Sequence, residues 1–182
     1  GLPYASTMVG AKLVMPGAAM DGESVYQLID QEGVTFSAGV PTVWLGLLDY
    51  LERSGKRLGG FERCVIGGSA TPRAMIVKLQ EEYGVNVLHA WGMTEMSPLG
   101  TVNWPKHGMA DESDAERLDR EVKQGRPCYG VALKIVNDSN ESLPEDGEAF
   151  GELKARGFWV CSAYYRGEGE SHDADGWFST GD

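Results

Sequence analysis

Residues 63–92, RCVIGGSATPRAMIVKLQEEYGVNVLHAWG, contain two strand-like segments separated by a helical one. The first segment, 63–68, ends in Gly-Gly, and the last, 85–92, ends in Trp-Gly. Between them, residues 71–84 are typical of a helix that Thr71 caps and a glycine ends. A strand, a helix and a second strand in this order predict a βαβ unit with parallel strands.

The same alternation continues toward the N terminus. Helices are predicted over 2–11, 21–33 and 41–55, and short strands over 12–17 and 34–39. The first of these helices is apolar enough to be buried. The pattern predicts an α/β fold with a mostly parallel sheet and helices on both of its faces.

The sequence changes character after this region, and we expect three parts: 1–103, 104–124 and 125–182. The middle part is highly charged, so it is predicted to be an exposed insertion with one surface helix and a solvated face over its charge run. The last part predicts a small β-rich subdomain. Its elements are strands over 129–138, 141–157 and 176–182 and a short helix over 159–171.

Composition excludes several classes of protein. A net charge of −11 and a pI near 4.7 argue against a nucleic-acid partner, because phosphate binding needs clustered Lys and Arg. No apolar run reaches the ~20 residues that a membrane span requires. The three cysteines and three histidines have no metal-ligand spacing, and an odd, sparse cysteine count favours a reducing, cytoplasmic compartment.

Residues 89–98, HAWGMTEMSP, place several ligand-binding side chains directly after a predicted strand. Trp91 offers a flat face to a base, and Gly92 allows close approach. The Thr94 hydroxyl can donate to a phosphate oxygen, and the Glu95 carboxylate suits Mg²⁺, which takes oxygen ligands. The alternative is a strand exit at which the threonine caps a helix and the glutamate lies in its first turn.

Two other strand exits have a similar composition. The segment GGSATP, 67–72, is a glycine-rich turn along which a flat ligand could lie, although it lacks the Gly-Lys-Ser/Thr of a P-loop. The segment AGVPTVW, 38–44, places small residues before a helix that begins with proline. These small residues could line a pocket, whereas Trp44 is more often a core residue.

Together with GWFSTGD at 176–182, these segments resemble successive motifs of the adenylate-forming superfamily. The superfamily includes acyl-CoA synthetases, luciferases and nonribosomal peptide adenylation domains. The residues of these motifs are most similar to those of the branch of medium- and long-chain fatty-acyl-CoA synthetases, which also includes 3-methylmercaptopropionate ligases. The resemblance covers nearly the whole chain, with 104–124 the least determined part.

The resemblance implies a role for each matching residue. The nucleotide site would include Gly68, Ser69 and Ala70 along the adenine, His89 and Ala90 at its edge, Trp91 stacked on it in place of the more usual tyrosine, and Gly92. Thr94 would bind the α-phosphate, Glu95 would hold Mg²⁺, and both would be catalytic. Asp182 would bind the ribose hydroxyls. The acyl pocket would be lined by Gly39, Val40, Trp44, Gly67 and Met93.

The implied reaction joins a carboxylic acid to ATP and then transfers the acyl group to CoA, releasing AMP and pyrophosphate. The Lys-containing phosphate loop and the C-terminal catalytic lysine of the family have no match here, so we expect a fragment that is inactive by itself. Other adenylate-forming enzymes, such as aryl-CoA ligases and amino-acid-activating domains, remain alternatives, as does a non-catalytic nucleotide-binding domain. The segment 38–40 has no carboxylate for a substrate amine, which favours an apolar acid. Acyl chain length and oligomeric state stay open, a homodimer being one alternative.

Overall fold

The computed structural model describes residues 1–167 and 171–182. The α-helices of this part are α1 (Leu2–Met8), α2 (Gly22–Glu32), α3 (Pro41–Ser54), α4 (Arg73–Val77) and α5 (Asp114–Glu121). The strands are β1 (Phe36–Gly39), β2 (Arg63–Ile66), β3 (Asn86–Gly92), β4 (Leu99–Val102), β5 (Arg126–Pro127), β6 (Val131–Val136), β7 (Glu152–Gly157) and β8 (Phe178–Ser179).

The chain divides into two compact units. The first unit comprises Gly1–Trp91 and Thr101–Arg126, and the second comprises Gly92–Gly100 and Pro127–Asp182. The mixed α/β architecture, with a parallel sheet followed by a β-rich part, confirms the predicted fold class. The predicted division at 103/104 and 124/125 stays a prediction.

Strands β1 to β5 form a sheet in their sequence order, and β1, β2 and β3 are parallel to one another. The register pairs Gly39 with Ile66 and Ile66 with His89. The carboxyl ends of β1 and β2 are therefore level with each other and with His89, and β3 continues beyond them. The residues that follow β1 and β2 share one edge of the sheet. Ligands bind at this edge in open parallel sheets.

Helices α2 and α3 pack against each other over the main core of the first unit. Asp21 caps α2 by accepting a hydrogen bond from the Ser24 N–H, and this bond lowers the pKa of Asp21. The Trp44 ring is 1% exposed and stacks on Phe61 with ring centroids 5.9 Å apart. Burial raises the pKa of the Cys64 thiol to about 12, so this cysteine acts as a small apolar core residue.

The predicted insertion, 104–124, lies within the first unit and contains helix α5. A capping box of Ser113 and Glu116 begins this helix. At its other end, Asn103 Nδ2 donates to the carbonyls of Arg120 and Lys123, the latter at 2.6 Å. The Glu121 side chain is buried and accepts a hydrogen bond from Gln80 at 2.9 Å. The prediction of a wholly solvated charge run is therefore wrong at the C-terminal end of α5.

In the second unit, β6, β7 and β8 form an antiparallel sheet in that order. A turn after β7 is organised by Asp173, whose carboxylate accepts hydrogen bonds from the Trp177 N–H and from Lys154. These contacts, the Trp177 bond foremost, lower the pKa of Asp173 to about 2. The buried ammonium of Lys154 is thereby paired rather than isolated.

Several local predictions are wrong. The segment 12–17 is irregular rather than a strand, because Pro16 lacks an N–H and Gly17 turns the chain with φ of +63°. Helix α1 buries none of its residues. Thr71 does not cap α4, since Pro72 is its N-terminal flanking residue and no side chain caps it.

The predicted short helix over 159–171 extends into residues 168–170, which lie outside the described residues. Before them, the helical part is limited to a 3-10 turn at Tyr165–Gly167. Within the described ranges, no helix combines the length and the apolar character that crossing a membrane needs.

Candidate functional site

The strand exits of the first unit are held together by main-chain and indole hydrogen bonds. The Gly39 carbonyl accepts from the Gly67 N–H at 3.4 Å and from Trp44 Nε1 at 3.1 Å. The Trp44 indole thus fixes the turn after β1 from inside the core. The structure places Trp44 in the core, whereas Val40 beside it is 46% exposed.

The glycines after β2 are required by close packing. A Cβ at Gly67 would lie 2.9 Å from the Ala90 carbonyl oxygen, and one at Gly68 would lie 3.1 Å from Val40 Cγ1. Gly68 also has φ of +85°, which L side chains rarely adopt. Gly68, Ser69 and Ala70 are all exposed. This turn therefore exposes small residues directly after β2.

The exit of β3 contains His89, Ala90 and Trp91, of which only Trp91 is partly exposed. The His89 ring is buried, and its Nδ1 lies 3.0 Å from the Val122 carbonyl. Its Nε2 is buried without a hydrogen-bond partner among the described residues. Burial lowers the pKa of His89, against the opposing effect of the nearby Val122 and Ser69 carbonyls. The imidazole is therefore neutral at pH 7.

The loop Gly92–Gly100 of the second unit carries Thr94 and Glu95, the residues predicted to bind phosphate and Mg²⁺. A Cβ at Gly92 would lie 1.8 Å from the Pro98 carbonyl oxygen, so only glycine fits there. A 3-10 helix, Thr94–Met96, follows, and the fully buried Met96 anchors it. Thr94 is exposed, and Met93 and Glu95 are half-buried. The hydroxyl and the carboxylate are thus presented by a backbone that packing holds in place.

Glu95 is held by its main chain and by its side chain. Its carbonyl accepts from the Cys161 N–H at 2.7 Å, and its Oε1 accepts from the Tyr164 hydroxyl at 2.8 Å. The bond to Glu95 raises the pKa of Tyr164. Burial, together with the Glu95 charge, raises the pKa of the Cys161 thiol.

No group of three or more His, Cys, Asp or Glu side chains that could hold a metal ion is found in the described part of the chain. One carboxylate still fits Mg²⁺, since this ion is usually bound by one or two carboxylates together with substrate phosphates and water. Within the second unit, no described residue donates a hydrogen bond to Glu95 Oε2. This oxygen is the atom suited to such an ion.

Asp182 is attached to β7 by its backbone. Its carbonyl accepts from the Leu153 N–H at 2.9 Å, and its N–H donates to the Thr180 hydroxyl at 3.2 Å. The Thr180 hydroxyl in turn donates to the Leu153 carbonyl at 2.7 Å. The polar turn after β8 is therefore an ordered structure rather than a frayed end.

The predicted site residues fall into two groups. The first unit brings together Gly39, Val40, Gly67, Gly68 and Ala90. The second unit holds Met93, Thr94 and Glu95 in one loop. Sequence reasoning missed Tyr164, because the residue that it contacts is 69 positions away. Thr71, predicted to cap a helix, instead has a buried hydroxyl oxygen without a partner among the described residues.

Comparison with solved structures identifies the fold. The chain aligns over 98% of its length, with a TM-score of 0.78 and 22% identity, with O-succinylbenzoate coenzyme A synthetase of Bacillus subtilis in complex with AMP, and covers 34% of that chain. At this identity, the likeness shows the fold alone: the chain has the fold of the matching third of that enzyme.

The sequence comparisons give the family. The model of the AMP-binding enzyme family matches residues 2–165, and the chain therefore belongs to that family. It is 52% identical over its whole length to the medium-chain-fatty-acid–CoA ligase of Ectopseudomonas oleovorans and covers 33% of that protein. It is 48% identical over its whole length to the 3-methylmercaptopropionyl-CoA ligase of Ruegeria lacuscaerulensis and covers 34% of it. The chain thus spans about a third of the length of these relatives.

Proposed function

We propose that the chain is the AMP- and acyl-binding part of an ATP-dependent acyl-CoA synthetase. The observation that carries the proposal is 52% identity, over the entire chain, with a medium-chain-fatty-acid–CoA ligase. The reaction would join a carboxylic acid to ATP, form an acyl-adenylate with release of pyrophosphate, and pass the acyl group to CoA. ATP, CoA and the acid are accordingly the proposed small-molecule partners.

The first unit would contribute the adenine and acyl surfaces. The exposure of Gly68, Ser69 and Ala70 supports adenine binding, because small residues let a flat ring approach the backbone. The partly exposed Trp91 would stack on the base. Val40, next to Gly68, would border the acyl group, whereas buried Trp44 would act by holding Gly39 in place.

The second unit would contribute the groups that bind charge. Exposed Thr94 would donate its hydroxyl to the α-phosphate, and Glu95 would bind Mg²⁺ through Oε2. When bound, the ion would neutralise phosphate charge as the acid attacks. Asp182 would accept hydrogen bonds from the ribose hydroxyls. These residues would act by orienting the phosphate and the ribose, which is how positioned groups lower a barrier in phosphoryl and acyl chemistry.

The substrate is proposed to be an apolar carboxylic acid, and the location cytoplasmic. The segment 38–40 has no carboxylate for a substrate amine, which argues against an amino acid. The three cysteines are all free thiols, as suits a reducing compartment.

The test is the exchange of pyrophosphate into ATP that depends on an added carboxylic acid. It is measured on a protein that contains this chain and is as long as its relatives. We expect exchange with medium-chain fatty acids and not with amino acids, and a loss of at least about tenfold in Glu95→Gln, since one preorganised electrostatic contact is typically worth that much or more. Exchange with amino acids alone would overturn the substrate class. Unchanged exchange in Glu95→Gln would overturn the role of Glu95.

A further inference from the structure

The segment Phe158–Gly167, here called the clip segment, is attached to the loop Gly92–Gly100 within the second unit. Trp159 Nε1 donates to the Leu99 carbonyl at 2.9 Å, and the Ser97 hydroxyl donates to the Trp159 carbonyl at 3.1 Å. The Cys161 N–H donates to the Glu95 carbonyl at 2.7 Å. The clip segment therefore fixes the backbone on which Glu95 is presented.

The clip segment is itself supported from the sheet side. His172 Nε2 lies 2.9 Å from the Cys161 carbonyl, and the His172 ring contacts Phe178 with centroids 5.4 Å apart. The Tyr164 ring also packs near Phe178, at 6.3 Å between centroids. Since Phe178 is 1% exposed, both rings rest on a buried residue of β8. The position of Tyr164 is thus set by the core of the second unit.

One contact of the clip segment reaches a carboxylate rather than backbone. The Tyr164 hydroxyl donates to Glu95 Oε1 at 2.8 Å, and within this unit no described residue donates to Oε2. A hydrogen bond to one oxygen fixes the rotamer of a half-exposed carboxylate and points the second oxygen in a set direction. Such outer hydrogen bonds orient metal ligands generally, and removing one typically lowers metal affinity by roughly 10–100-fold.

We propose that Tyr164 is a positioning residue for Glu95: its hydroxyl holds Oε1 so that Oε2 is directed at the divalent cation that accompanies the nucleotide phosphate. The inference rests on the proposed function, because Glu95 must bind the cation. Tyr164 touches neither the nucleotide nor the ion in this role. It acts only through the carboxylate that it orients.

The test measures Mn²⁺ binding at saturating AMP to a protein that contains this chain and is as long as its relatives, from the electron paramagnetic resonance signal of free Mn²⁺. We expect Tyr164→Phe to weaken Mn²⁺ binding about tenfold, because it keeps the ring on Phe178 and removes only the hydroxyl. The matched control is Tyr165→Phe, in which the neighbouring ring is 80% exposed and contacts Arg166. Its Mn²⁺ affinity should equal that of the unchanged chain.

A double-variant cycle separates positioning from a general structural effect. In the Glu95→Gln background, Tyr164→Phe should cause no further loss, because the carboxylate that it orients is gone. Tyr164→Leu, checked for folding by circular dichroism, should repeat the loss seen with Phe. Equal losses in both backgrounds, or an unchanged affinity in folded Tyr164→Phe and Tyr164→Leu, would overturn the positioning role.

The proposed function fails in a different way. If Glu95→Gln binds Mn²⁺ as tightly as the unchanged chain, or if the unchanged chain binds none, Glu95 is not the cation ligand and both proposals fall. If Glu95→Gln weakens binding and Tyr164→Phe does not, only the positioning role falls.

Discussion

The His89 ring is joined to the Val122 main chain by a hydrogen bond of 3.0 Å between Nδ1 and the carbonyl oxygen. A carbonyl only accepts, so Nδ1 carries the proton, and in the neutral ring Nε2 carries none. The bond ties strand β3 to the residue that ends α5, 33 positions later. The burial of this ring makes the stability of the first unit sensitive to pH.

Stability should fall as the pH drops below the ordinary histidine pKa of 6.5. Burial lowers the pKa of His89 in the folded state, so over the range between the two values the unfolded state binds a proton that the folded state does not. Urea unfolding from about pH 7.5 to about pH 5.5 should show this loss in the unchanged chain and a reduced loss in His89→Gln.

His107→Gln is the matched control, because the His107 side chain is exposed. It should keep the pH dependence of the unchanged chain. Identical pH dependence in His89→Gln and in the unchanged chain would show that His89 is not its source.

Gly92→Ala should destabilise the chain by about 1–3 kcal/mol, the usual cost of overpacking. The added Cβ would lie 1.8 Å from the Pro98 carbonyl oxygen, so the loop that carries Glu95 must shift. Urea unfolding measures the change. Gly59→Ala is the control, since its Cβ meets nothing within 4 Å, and it should change stability by less than about 0.5 kcal/mol. A Gly92→Ala variant as stable as the control would contradict the packing described for this loop.

Substitutions of Trp44 and of Val40 should differ in their effect on stability, because Trp44 is buried in the core and Val40 is exposed. Trp44→Ala removes a buried ring and the indole bond to Gly39, so we expect a loss of about 3–5 kcal/mol in the free energy of unfolding. Val40→Ala, at an exposed position, should change stability by no more than about 0.5 kcal/mol while altering the preferred acyl chain length. Chemical denaturation measures the stability of both variants. Exchange of pyrophosphate into ATP with carboxylic acids of different length measures the chain-length preference of Val40→Ala. Equal losses of stability in Trp44→Ala and Val40→Ala would contradict the placement of Trp44 in the core and Val40 at the surface.

Trp91→Ala should weaken AMP binding by about 1–3 kcal/mol if the indole stacks on the base, by analogy with aromatic stacking in nucleic-acid complexes. Trp91→Phe keeps a flat face and should retain most of the affinity. Calorimetric titration of both folded variants gives the difference. If alanine and phenylalanine bind AMP equally well, the base does not stack at this position.

The parts of the fold that local periodicity encodes were predictable from the sequence. The βαβ order and the glycine turns at 39 and 67–68 follow from spacing along a short stretch of chain. The anchoring of α5 by Asn103 and the bond of Tyr164 to Glu95 join residues that are 17 to 69 positions apart, and no local pattern specifies such partners. The strand predicted at 12–17 is irregular, because Pro16 has no N–H to donate and Gly17 turns the chain with φ of +63°.

The most direct test of the central claim is calorimetric titration of AMP into the 182-residue chain, with ribose 5-phosphate as the matched ligand that lacks the base. We expect saturable one-to-one binding of AMP with a Kd of about 1 mM or tighter, and clearly weaker binding of ribose 5-phosphate. AMP binding that is absent at millimolar concentration, or no tighter than that of ribose 5-phosphate, would contradict it.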